Sequence, residues 1–145
     1  WFTNLNDRLI YNITRTDRNI DRAVEQLVGK RFGLIYKLKN GSIGSEPYVI
    51  SKCTSDFNIN TESQAYERKC NIELRPRGII IHFRIKSSSF IWPIAYDVLA
   101  LTLLDQLLVV SDDTREAQLI RHVKTKKDSS FLRKTMECQT AYLRQ

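Results

Sequence analysis

Histidine, cysteine and glycine are all scarce in this chain, and each shortage removes a class of chemistry. Its 145 residues include two histidines, His82 and His122, and three cysteines, Cys53, Cys70 and Cys138. There is no HExxH pair and no CxxC, so neither a zincin helix nor a thiolate metal site can be written. Three cysteines at wide spacing make no disulfide framework either. They read as free thiols packed like small hydrophobes, with a single Cys53 to Cys70 bridge as the alternative. The five glycines supply no GxSxG elbow, no Walker loop and no Rossmann fingerprint. With those constellations missing, we expect a non-catalytic chain that uses no cofactor and no metal.

A long uncharged apolar run is also missing. The most apolar stretch, GIIIHFRIKSSSFIWPIAYDVLALTLLDQLLVV at residues 78–110, is broken by Arg84, Lys86, Asp97 and Asp105. A membrane span needs roughly 18 or more apolar residues with few charges, and an aspartate near mid-depth would cost about 2.5–3.5 kcal/mol on insertion scales. The stretch therefore reads as β structure. The chain begins at Trp1 without a methionine, and we read it as a processed or trimmed chain. A signal peptide or transmembrane helix ending just before Trp1 is one expectation, because tryptophan favours the membrane interface.

With 42% hydrophobic and 27% charged residues, the composition and size suit one globular domain. Residues 1–33 read as an N-terminal helical segment and 34–145 as a β-rich body with a C-terminal helix. Ile20, Ala23, Val24, Leu27 and Val28 recur at helical spacing and predict a helix over about 17–28. Thr16 or Asn19 would cap it and Gly29 or Gly33 would stop it. Asn40-Gly41 lies between two strand-like runs and predicts a hairpin, because both residues tolerate φ > 0. Residues 51–61 read as a loop with room for one short strand.

Period two then takes over. In CNIELRPRGIIIHFRI, the residues Cys70, Ile72 and Leu74 oppose Asn71, Glu73 and Arg75. Ile79, Ile81, Phe83 and Ile85 oppose Ile80, His82, Arg84 and Lys86. Pro76 and Gly78 place a four-residue turn at 75–78, and one continuous sheet is expected over 64–123. Pro93 marks a bend or an edge in the next strand. Residues 98–110 read as strands turning near Asp105-Gln106, a helix being the alternative, and Asp112-Asp113 reads as turn chemistry. His82 reads as a surface or lightly packed histidine. Near the C-terminus Phe131, Leu132, Thr135, Met136, Tyr142 and Leu143 mark a helical stripe. Asp128 to Ser130 would provide its cap, and Phe131, Leu132 and Met136 should be buried.

The fold class expected is α+β, mainly β: about seven strands in a bent antiparallel sheet or small barrel, with an N-terminal helix and a closing amphipathic helix. That plan, carried by CNIELRPRGIIIHFRI, FIWPIAYDVL, QLLVVSDD, REAQLIRHV and SSFLRKTMECQTAYL, resembles the pleckstrin-homology-like superfold, particularly its bacterial members. The resemblance implies a bent sheet plugged at one end by the C-terminal helix. The chain departs from the lipid-binding members in two ways. KLKNGSIG, where their basic loop would lie, holds only Lys37 and Lys39, and the closing helix has no tryptophan.

Charge is the remaining signal. From Arg121 to Gln145 there are seven basic and two acidic residues, so five of the chain's net charge of +7 is local. Arg121, Lys124, Lys126, Lys127 and Lys134 are the candidate site. They would form a basic strand-to-helix edge that contacts a protein partner or an anionic membrane surface. The alternative is a nucleic-acid binder using the same cations, with Tyr66, Phe83 or Phe90 as a stacking surface. A cytoplasmic or membrane-associated setting fits either use.

Overall fold

The computed structural model describes residues 9–121 and 130–145. A two-residue strand β1 (Tyr11–Asn12) precedes two helices, α1 (Arg18–Val28) and α2 (Leu34–Asn40). Strand β2 (Tyr48–Cys53) leads through 3-10 turns at Ser55–Phe57 and Ala65–Arg68 into β3 (Lys69–Arg75) and β4 (Gly78–Ile85). Strands β5 (Ser88–Ala95), β6 (Ala100–Leu104), β7 (Leu107–Ser111) and β8 (Glu116–Arg121) follow, and α3 (Ser130–Leu143) closes the chain.

The eight strands make one antiparallel sheet in the order β1-β5-β4-β3-β2-β8-β7-β6. It is open, with β1 and β6 at its edges, so the barrel alternative is not formed. Among the described residues, the outer side of β5 takes only β1, which pairs at Ile91 and Phe90. Just beyond that reach stands Pro93, which has no N–H to offer another strand. Eight strands stand where about seven were expected, and β1 was not among the expected ones. The apolar stretch 78–110 lies in β4 to β7 and their turns, and among the described residues no helix is long and apolar enough to cross a membrane.

The register explains which residues reach the core. Ile72, Ile81 and Trp92 stand opposite one another across β3, β4 and β5. They meet Leu108, Val110, Ala117 and Leu119 from the far end of the sheet in one cluster. Residues from both ends of an open sheet can share a core only if the sheet curls. A register irregularity between Ile50 and Lys52 in β2, near its middle, adds local bend. Phe57, in the 3-10 turn after β2, fills the same core and meets Trp92 edge-on with ring centroids 5.1 Å apart.

The outer face of β4 and β5 is covered as well. Val24 and Val28 of α1 pack on Ile80 and Ile91, so the run Ile79-Ile80-Ile81 is buried on both faces. Asp17 is the N-cap of α1: its Oδ1 accepts the N–H of Asn19 at 2.9 Å and of Ile20 at 3.4 Å. Thr16 and Asn19 therefore do not cap the helix, because Asp17 is the residue that takes the extended backbone and reaches the free N–H groups. At the other end the β3–β4 turn grips the helix. Arg77 N donates to Val28 O, and Arg77 Nη2 donates to Glu25 O and Gln26 O. Gly78 is required at this contact, since a Cβ there would lie 2.2 Å from Ile94 O and 2.6 Å from Val28 Cγ1.

Several expectations are corrected. The hairpin about Asn40-Gly41 is not formed. Residues 34–40 are α2, and Gly41, at φ +83°, ends it by donating its N–H to Lys37 O. A residue that tolerates positive φ serves a helix C-terminus as well as a hairpin turn, and Leu34, Lys37, Leu38 and Lys39 are all good helix formers. Strand β2 pairs with β3 and β8 instead, so the sheet is not continuous over 64–123: β2 lies between β3 and β8, and 65–68 is a 3-10 turn. The three cysteines are free, which rules out the Cys53 to Cys70 bridge, and burial pushes the Cys70 thiol up to about 12.

Other readings hold. Residues 98–110 carry β6 and β7 rather than a long helix, with the turn at Asp105-Gln106, where Asp105 takes φ +55°. Asp112 forms its turn by accepting the N–H groups of Thr114 and Arg115 on Oδ1.

Helix α3 closes the core with Leu132 and Thr135, both buried. Phe131 is half-buried, and Met136 and Leu143 face solvent. The buried face is thus narrower than the apolar stripe. Gln139 completes it by donating Nε2 to the carbonyls of Tyr96 and Leu99. The cap expected at Asp128 and Ser129 lies outside the described residues. Leu132→Ala should cost about 2–4 kcal/mol, the range for a buried leucine, read as a lowered urea midpoint at unchanged m. An unchanged midpoint would mean that α3 is peripheral to the core.

Candidate functional site

Of the five residues expected at the basic edge, Lys124, Lys126 and Lys127 lie outside the described residues. Arg121 ends β8, with its Nε 2.9 Å from Glu46 Oε1 and both side chains largely buried. The two atoms form an ion pair without an aligned hydrogen bond. Tyr48 lies beside them, and its phenol pKa is raised, first by burial and then by the Glu46 charge. Lys134, on the second turn of α3, donates Nζ to Asn40 O and, at 3.0 Å, to Ser42 O. It therefore binds the carbonyl end of α2, where a cation is favoured.

The consequence for α2 is its orientation. Tyr36 faces the protein body, stacked on Phe32 with ring centroids 3.8 Å apart and placed against Cys138 of α3. With Tyr36 turned inward and the C-terminal carbonyls held by Lys134, the aliphatic residues are left outside: Leu34 and Ile35 are each 71% exposed and Leu38 is 78% exposed. At about 100° per residue these three occupy one arc, with Lys37 on one side of it and Lys39 on the other. Residues 26–45 contain Lys30, Arg31, Lys37 and Lys39 and no acidic residue. The hairpin reading hid this face; the helical spacing of Leu34, Ile35 and Leu38, closed by Asn40-Gly41, was the signal that could have found it.

A second polar group lies on the outer face of the sheet. Glu73 Oε2 accepts from Arg75 Nε at 2.6 Å, and Oε1 lies 2.7 Å from His82 Nε2. An ionised carboxylate can only accept, so His82 Nε2 carries the hydrogen. Arg75 is almost fully buried and also donates Nη1 to Gly29 O at 2.7 Å. Burial alone would raise the Glu73 pKa, but the hydrogen bonds from His82 and Arg75 and the Arg75 charge outweigh it and hold the carboxyl down at about 2. Arg75 and His82 line a cleft of about 570 Å³ between α1 and the sheet, floored by Ile80 and Ile91. His82 is thus half-exposed with an acidic partner on the next strand, a partner that strand alternation alone does not reveal. A carboxyl held near 2 is far from the working range of a general acid or base at neutral pH. The arrangement is suited to binding α1 to the sheet.

Among the described residues no three of His, Cys, Asp and Glu come together as a metal site. Of the aromatics considered for base stacking, Phe83 is buried, Phe90 stacks on Phe83, and Tyr66 is exposed. No protein-family model matches this chain, and no curated protein is significantly similar to it.

Proposed function

We propose that this chain is a non-catalytic binding module on a pleckstrin-homology-like scaffold, docking by its basic strand-to-helix edge onto an anionic membrane surface. The scaffold reading is supported by the curled antiparallel sheet and the closing helix α3, whose Leu132 enters the core. The observation that carries the docking reading is the bond from Lys134 to the Asn40 and Ser42 carbonyls. It sets Lys37 and Lys39 of α2 beside the start of α3, so two basic segments far apart in sequence share one edge. Cations outnumber Glu46 and Glu137 along this edge, and that excess draws the molecule to an anionic surface. Nucleic acid is the weaker reading, because Phe83 is buried and Phe90 is stacked on it, which leaves Tyr66 as the exposed member of the three candidate stacking rings.

Co-sedimentation with phosphatidylserine-containing vesicles tests the proposal. The wild-type chain should bind at low ionic strength and be released by salt, since the screening length falls from about 10 Å at 0.1 M to about 3 Å at 1 M. Lys126→Glu with Lys127→Glu should weaken binding at least tenfold. No salt-sensitive affinity for these vesicles would overturn the membrane reading and leave a protein partner as the remaining occupant of the edge.

A further inference from the structure

We infer that α2 is a membrane-interfacial wedge: Leu34, Ile35 and Leu38 enter the headgroup and acyl boundary of an anionic bilayer while Lys37 and Lys39 hold lipid phosphates on either side. The inference rests on the membrane reading above and names the element that penetrates. Soluble proteins rarely leave large contiguous apolar surface in water, and where they do it marks an interaction site. Here the exposure is built in. The polar and aromatic side of α2 is bound to the protein through Tyr36 and the Lys134 bonds, so the helix cannot roll its aliphatic arc inward without losing those contacts.

The chemistry around the arc selects the occupant. An amphipathic helix lying in the interface plane needs an apolar face bordered by cations whose methylene stems can follow the chain into the headgroup layer. Leu34, Ile35 and Leu38 are bordered by Lys37 and Lys39, and Lys30 and Arg31 lie on the segment just before α2, with no acidic residue from 26 to 45. That composition complements lipid phosphate and opposes a second copy of the chain, which would bring the same cations face to face. The size argues likewise: three exposed apolar residues are far fewer than the roughly 20–30 residues a side that a stable protein interface uses. A bilayer has no such minimum, because depth of insertion and headgroup attraction add independently.

The test uses the full chain and vesicles of phosphatidylcholine and phosphatidylserine at about 3:1, against phosphatidylcholine alone. The triple variant Leu34→Ser, Ile35→Ser, Leu38→Ser keeps every cation and should bind the anionic vesicles at least tenfold more weakly than wild type. Leu38→Trp should bind as wild type does and gain a blue-shifted emission component on adding anionic vesicles, measured against the wild-type spectrum. If wild type binds and the triple variant binds equally well, adsorption is by charge alone, and the wedge is wrong while the membrane reading stands. If wild type binds neither vesicle, both fail. If the triple variant loses more stability than the roughly 1 kcal/mol that three serines cost an exposed helix, the arc is covered from within the molecule and the wedge is overturned. Self-association of the wild type that the triple variant abolishes would overturn it too, by assigning the arc to a second copy.

Discussion

Glu73→Gln is expected to destabilise the protein by about 3–5 kcal/mol at neutral pH, the cost of removing one partner from a buried ion pair. The charge left behind is Arg75, whose side chain is 6% exposed. Glutamine keeps one acceptor oxygen in place of two, so its NH2 would face either Arg75 or His82, and it offers no charge to either. Arg75 also holds Gly29 O, so the damage should reach the end of α1. A double-mutant cycle of Glu73→Gln and Arg75→Gln should return a coupling of about 1–3 kcal/mol, as groups in direct contact do. Acid should have a similar effect on the wild type. The folded-state pKa of Glu73, about 2, lies below its ordinary value of 4.5. Its contribution is therefore complete above about pH 4.5 and is lost as the pH falls toward 2. The stability gap between wild type and Glu73→Gln, from urea titrations at successive pH values, should narrow through that window. A gap that stayed constant would show that Glu73 is not the titrating group.

Trp92→Ala should cost a similar amount, about 3–5 kcal/mol. The indole is fully buried, meets Phe57 edge-on and donates Nε1 to Asp112 Oδ2 at 3.2 Å. Strand β5 and the β7–β8 turn lie far apart along the sheet order, so this one side chain spans the curl. Trp92→Phe should separate the two contributions. It keeps most of the apolar contact and loses a hydrogen bond to a charged acceptor, worth about 1.5–3 kcal/mol. Thermal and urea midpoints measure both variants. A phenylalanine variant as unstable as the alanine one would place the effect in the Asp112 bond, whereas one equal to wild type would make that bond irrelevant.

Particular residues show why some of this was legible in the sequence. Pro76 and Gly78 announce the β3–β4 turn because each has a backbone constraint that few other structures satisfy, and strict alternation on both sides then sets the register. Asn40-Gly41 misled for the same kind of reason, since positive φ is shared by hairpin turns and helix ends and only the partner of the preceding segment decides between them. Among the described residues Leu34 to Lys39 has no strand partner and is helical. The candidate edge was legible as charge but not as pairing: Arg121 meets Glu46, and Lys134 meets the carbonyls of Asn40 and Ser42. Those contacts come from strand order and helix docking, which a count of lysines does not contain. Phe57 was missed because a lone aromatic in a polar segment gives no period, and the 3-10 turn that aims it inward is three residues long.

The grip of the β3–β4 turn on α1 also bears on the order in which the molecule is made. An eleven-residue helix is marginal in water by itself. This one receives the contacts that hold its last turn from Arg75 and Arg77, and the floor beneath Val24 and Val28 from Ile80 and Ile91. A ribosome delivers residues 18–28 long before any of these. Helix α1, made before the strands that hold it, is therefore among the last elements to become secure, and until β5 has emerged its apolar side is a surface that chaperones can read.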